Sequence, residues 1–175
     1  MPNKYEIIVT PVTTRYEINI WDDIEEFKEY DEMLKQLPKI KEEDHVVLRV
    51  GTPGGRCDVG FMLIDKFKEL GCVVDVIVPY PTYSMGAIMA LCGDSLSMSP
   101  GSFLMFHDYS TGGRGKGNEL IKSTEAYSEI FAYRFRQICI PFLTEEECMS
   151  VLQGQDLYIK WNDPSLKKRI KRHFK

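Results

Sequence analysis

The run HVVLRV at His45–Val50 leads into the turn GTPGG at 51–55, then into a segment with Val59, Leu63, Phe67 and Leu70, then into VVDVIV at Val73–Val78. Short β-branched runs on either side of an apolar stripe at helical spacing read as strand, helix, strand, with Gly71 closing the helix. Such a βαβ unit implies an α/β fold with a parallel sheet, whose ligands gather beyond the carboxyl ends of the strands. The GTPGG turn stands at one of those ends.

Upstream, Tyr5–Thr10 and Arg15–Trp21 alternate apolar and polar residues and are expected as a hairpin or as adjacent edge strands. After Asp22, the near-helical spacing of Ile24, Phe27, Met33, Leu34 and Leu37 predicts a surface helix that Pro38 stops. Downstream, SMGAIMALCG from Ser84 reads as a buried helix, and Leu96–Met98 and Phe103–His107 as strands around a turn at 99–102. The glycine-rich Thr111–Gly117 precedes a long amphipathic helix over Asn118–Ile138. Its apolar face, Tyr127 and Phe131 included, is wider than one domain needs and is expected to meet a partner. Thr144 and Glu147 form a capping box for a further short helix, and Asp156–Trp161 resumes a strand-like pattern.

There is no internal repeat, and 175 residues correspond to one domain. A 43% hydrophobic fraction with 27% charged residues excludes a disordered or low-complexity chain. The net charge of −4 argues against a nucleic-acid binder, which needs clustered cations. Charge is unevenly spread: residues 167–175 hold six of the 22 basic residues and no acid, leaving the rest of the chain at −10. This basic tail, part of 162–175, is expected to be a solvated helix end or a contact to a neighbouring acidic body. Five cysteines without a C-x-x-C pair suit reduced, buried thiols, not a disulfide frame or zinc site. No basic-then-apolar leader opens the sequence and no apolar run reaches the ~20 residues of a membrane span, so a soluble cytosolic protein is expected.

Glycines after a strand let a reacting carbonyl approach backbone N–H groups, so GTPGG can serve as an oxyanion loop, or simply as a tight turn. Ser84 follows a strand and opens an apolar helix, the place of a nucleophile or of an ordinary N-cap. A G-x-S-x-G elbow is incomplete there, because Thr82 stands at the first glycine position. Serine needs a base, and His107, at the end of FLMFH, lies where parallel-sheet enzymes hold catalytic groups. His45 and His173 read as solvated surface residues. An orienting acid could be Asp94, Asp108, Asp156 or Asp163, and spacing does not choose among them.

GTPGG, then YSMGA, then FLMFH before a glycine-rich segment, and finally GQDLYI, resemble the proteolytic subunit of the Clp protease, the ClpP family, whose patterns are S-P-G-G, A-S-M-G-A, M-I-H-Q-P and R-D-x-[FY]-[ML]. The resemblance runs from about His45 to Ile159 and implies a ClpP/crotonase-type fold with a protruding handle helix, the handle region covering about 108–140. It implies Ser84 as nucleophile, His107 as base, Asp156 as orienting acid, the amides of Gly55 and Met85 as oxyanion hole, and Gly54, Gly112 and Gly113 along the substrate. The implied activity is that of a serine endopeptidase inside stacked homo-oligomeric rings. An AAA+ unfoldase would feed these with unfolded polypeptide, with no metal or organic cofactor and no nucleic-acid or membrane partner. Asp108-Tyr109 replace the family's Gln-Pro, Thr82-Tyr83 replace small residues before the serine, and the usual C-terminal ending is missing. These departures mark a divergent member, and a phage-encoded copy is the source they suggest. Two other readings are an α/β-hydrolase esterase recruiting His173, and a catalytically silent ring subunit.

Overall fold

A computed structural model describes residues 13–174. Four strands, β1 (Arg15–Ile20), β2 (His45–Val50), β3 (Val73–Val78) and β5 (Ser95–Met98), form a parallel sheet in the order β1-β2-β3-β5. Three more, β4 (Thr82–Tyr83), β6 (Phe103–Phe106) and β7 (Leu157–Lys160), form a second sheet in the order β4-β6-β7. The helices are α1 (Asp31–Gln36), α2 (Cys57–Lys68), α3 (Met85–Met89), α4 (Gly117–Cys139), α5 (Glu145–Leu152) and α6 (Leu166–His173). This mixed α/β arrangement is that of the ClpP/crotonase fold.

The parallel sheet follows from the βαβ pattern. Val46, Leu48 and Val50 of β2 and Val74, Val76 and Val78 of β3 point alternately into one apolar cluster with Val59, Leu63, Ile64 and Phe67 of α2. The opposite sheet face adds polar pairs to Val47 and Ile77: Arg49 pairs with Glu17 at 2.7 Å, and Asp75 bridges the His45 ring at 2.7 Å and the Ser95 hydroxyl at 2.5 Å. β3 is therefore half-buried, not the wholly buried strand its apolar run suggests, and His45 is a bridging residue instead of a free surface histidine. α3 lies at the centre, with all of Met85–Met89 buried.

β1 is an edge strand as expected, pairing in parallel with β2 from Arg15 opposite His45 to Ile20 opposite Val50, while Tyr5–Thr10, its expected neighbour, lies outside the described residues. Two other expectations change. The helix expected over 24–37 is split into a 3-10 turn at Phe27–Tyr30, α1, and a second 3-10 turn at Leu37–Lys39. Ile24 has left it, because its N–H donates to the Gly54 carbonyl and its own carbonyl accepts from Arg56. The basic tail is only in part a solvated end, with Lys167, Lys168 and Lys171 exposed. In α6, Leu166 is buried, Arg169 grips both Glu147 oxygens at 2.6 and 2.7 Å, and Arg169 and Arg172 both donate to the Phe142 carbonyl.

α4 extends for about 34 Å at 1.5 Å per residue. Its C-terminal half is anchored through Phe131, Phe135, Ile138 and Cys139, and Arg134 pairs with Asp65 of α2 at 2.6 Å. Residues 117–130 are exposed apart from half-buried Leu120. No helix among the described residues is long and apolar enough to cross a membrane.

Candidate active site

The loop after β2 is fixed by Thr52. This buried side chain donates to the Asp22 carbonyl at 2.6 Å and accepts from the Gly54 N–H at 3.0 Å. Gly54 and Gly55 have φ of 103° and 136°, the region that favours glycine. A Cβ on Gly54 would stand 2.7 Å from the Ser84 Cβ, and one on Gly55 would strike the Ile24 backbone. Gly54 is thus pressed against Ser84. The N–H groups of Gly55 and Met85 donate to no protein acceptor among the described residues.

Ser84 sits at the sharp turn from β4 into α3 with φ 55° and ψ −126°, the one non-glycine residue at positive φ among those described. Such a conformation costs on the order of 1–3 kcal/mol and persists only where surroundings enforce it. Here the Ser84 N–H donates to the Met105 carbonyl at 2.8 Å, and the Tyr83 N–H to the Thr52 carbonyl at 3.0 Å. Both sheets and the glycine loop therefore hold the turn.

His107 directly follows β6 and Asp156 directly precedes β7. The two strands pair antiparallel from Phe103 opposite Lys160 to Phe106 opposite Leu157. Continuing that register by one residue sets His107 opposite Asp156, on the face that also carries Met105 and Tyr158. The other candidate acids have different partners. Asp94 accepts from the Val74 N–H, Asp108 from the Tyr109 N–H, and Asp163 from the Ser165 N–H and hydroxyl. No hydrogen bond joins the side chains of Ser84, His107 and Asp156 to one another among the described residues. Topology brings the three toward one another without closing them.

Beside this constellation runs an open groove of about 550 Å³, lined by Gly55–Asp58 on one wall and Ser110, Thr111, Gly112 and Tyr127 on the other. Gly112 faces it, whereas Gly113 lies against the Leu120 side chain. Hydrogen bonding to Asp58 keeps Arg56 firmly charged, and Arg56 in turn holds the Asp58 carboxyl below its ordinary value. Burial pushes up the Cys57 thiol and the Tyr127 phenol. Sequence reading missed Thr52, Cys57 and the lining role of Tyr127; only the position of Thr52 between two loop glycines hinted at its part.

Tyr109 ties the groove to α4, with its ring 5.0 Å from Tyr127 and 5.2 Å from Phe131, and its hydroxyl donating to the Thr124 carbonyl. Phe131 is therefore core and Tyr127 belongs to the groove, so neither is the free partner-facing residue expected. His173 is also placed differently. Its Nε2–H donates to the Leu91 carbonyl at 3.0 Å and its ring is wedged between Phe142 and Phe174. Ser84 opens α3 and Leu91 lies just past its far end, about 10 Å along a helical rise. His173 is committed away from the serine, which removes the esterase arrangement.

The model of the Clp protease family matches residues 4–136 of the chain. Among curated proteins it is similar to the ATP-dependent Clp protease proteolytic subunit 1 of Chlamydia pneumoniae, 34% identical over 70 residues, and to that of Chlamydia caviae, 33% identical over 70 residues. Each alignment covers 39% of this chain and 37% of the relative, so the matched stretch spans little more than a third of those proteins. With a family model covering most of its length, and with the mixed α/β architecture above, the chain belongs to the Clp protease family.

Proposed function

We propose that the chain is a serine endopeptidase of ClpP type, with the whole sequence as one peptidase domain, residues 108–140 as its handle region and 162–175 as its C-terminal segment. The observation that carries this is Ser84, held at positive φ against a glycine loop, with the Gly55 and Met85 N–H groups unengaged among the described residues. A peptide lies extended in the groove between Gly55–Arg56 and Ser110–Gly112, where exposed backbone can pair with it as an added strand. Ser84 Oγ attacks the scissile carbonyl carbon and His107 takes its proton. The Gly55 and Met85 amides hold the oxyanion, and His107 then protonates the leaving amine. Asp156 keeps the imidazole in the required tautomer, and water releases the acyl group by the same path. No step calls on a metal or organic cofactor.

The unclosed constellation supports a subunit that becomes competent on assembly into stacked rings. The ATP-dependent relatives support an AAA+ unfoldase as the source of unfolded substrate. A catalytically silent ring subunit would show the same open constellation. The two part on one experiment: a serine-directed phosphonate should label Ser84 in the assembled protein, and Ser84→Ala should lose labelling and fluorogenic-peptide hydrolysis while keeping its mass. An assembled protein that is neither labelled nor active is the silent subunit.

A further inference from the structure

We infer that the outer face of α6 of one copy docks on the acidic stretch 22–32 of a second copy, a head-to-tail contact between two different surfaces of the chain. The proposal rests on the oligomeric reading above and names the surfaces that meet.

α6 divides its basic residues by face. Arg169 and Arg172 turn inward to Glu147 and the Phe142 carbonyl, whereas Lys167, Lys168 and Lys171 are exposed and make no ion pair among the described residues. Three cations on one side of a helix with no acid beside them repel one another and draw an anionic surface. Within the chain, that surface is the stretch after β1. Asp22, Asp23, Glu25, Glu29 and Asp31 are exposed there and make no ion pair among the described residues, while Glu26 and Glu32 are paired with Arg56 and Lys35. The field is concentrated: after burial, the carboxylates of Glu29, Asp22 and Glu25 push the Tyr30 phenol upward. The surface is also concave, with a notch of about 200 Å³ lined by Trp21, Asp22, Asp23, Glu29 and Tyr30, the size and chemistry for a lysine side chain.

The two surfaces do not serve each other within one chain. α6 is fastened to Glu147, Phe142 and Leu91, the acidic stretch to Gly54 and Arg56, and no ion pair joins them among the described residues. The exposed lysines and the unbalanced charge of the remaining chain thus have their complement on a neighbour. Because the patches differ, the contact is heterologous and closes into a ring where the rotation permits.

The test is the mass of the full chain by light scattering across a salt series. Lys167→Glu/Lys168→Glu/Lys171→Glu should dissociate at a salt concentration where the parent stays assembled, and Asp22→Lys/Asp23→Lys/Glu25→Lys should do the same. One chain carrying all six changes restores opposite charge across the contact and should reassemble. Parent assembly should weaken toward 1 M salt, where the Debye length falls to about 3 Å. Circular dichroism identifies a reversed chain that has failed to fold, and the six-change chain and the parent's salt response then decide. Triple variants of unchanged mass, or a folded six-change chain that stays dissociated, overturn the contact while leaving the rings standing. A parent that is monomeric at every salt and concentration overturns the rings as well.

Discussion

Ser84 has a backbone that serine does not favour, and in the proposed mechanism that cost places the nucleophilic oxygen. Ser84→Gly should therefore separate the two: hydrolysis lost, yet the chain stabilised by about 1 kcal/mol, a rise of roughly 2–4 °C in thermal midpoint by calorimetry. Gly54→Ala should act in the opposite sense, since its Cβ would sit 2.7 Å from that of Ser84. It should destabilise by about 2 kcal/mol or more and abolish hydrolysis. His107→Ala should cost on the order of 10⁴–10⁶ in kcat, whereas His173→Ala should leave kcat nearly unchanged per folded molecule. The turn at Ser84, the glycine loop and the strand end at His107 were legible in the sequence because each depends on neighbours a few residues away. Spacing left the choice of acid open and only the resemblance named Asp156, because its place opposite His107 follows from the β6–β7 register, a long-range property. Thr52 escaped for the same reason, its partner being the Asp22 carbonyl thirty positions upstream.

Among the elements, α4 and α6 each present one face inward and one outward. On α4 the outward apolar residues include Ile121 and Ile130, 58% and 60% exposed, and Ile121 lines an apolar groove of about 760 Å³. Ile121→Glu with Ile130→Lys should yield a folded chain of smaller particle mass and low peptidase activity, whereas changing buried Phe131 would unfold it. On α6, burial, with Lys68 and Arg172 nearby, lowers the His173 pKa, so the docked helix keeps the ring neutral. An undocked His173 titrates near 6.5, so docking is indifferent to pH above that value and weakens as pH falls through it. Thermal midpoints from pH 7 to 5.5 should decline in the parent and less so in His173→Gln. Glu147 lies outside that window: Arg169 holds its carboxyl at about 2, and its contribution is lost only from about pH 4.5 downward. The Thr144–Glu147 capping box exposed α5 in the sequence, and helix periodicity exposed α2 and α4 because their stripes are uninterrupted. It failed over 24–37, where Ile24 keeps the spacing but gives its backbone to Gly54 and Arg56. Charge alone offered the tail as a solvated end or a contact to an acidic neighbour, because charge pattern does not tell which arginines find a carbonyl.

For the molecule as a whole, the proposed mechanism, in which Ser84, His107 and Asp156 share no side-chain hydrogen bond before assembly, makes activity a property of concentration. Hydrolysis per subunit should fall on dilution in step with particle mass, and a constant specific activity down to the monomer would contradict assembly-dependent catalysis. The two surfaces inferred to meet also have a consequence that is optical. The sequence has two tryptophans, Trp21 and Trp161, 40% and 42% exposed. One borders the acidic notch and the other lies a few residues ahead of α6. Intrinsic emission thus carries a chromophore near either side of the contact, with no label to attach. Covering the indoles should move the emission to shorter wavelength as subunits associate, and Trp21→Phe should leave only the part that Trp161 contributes.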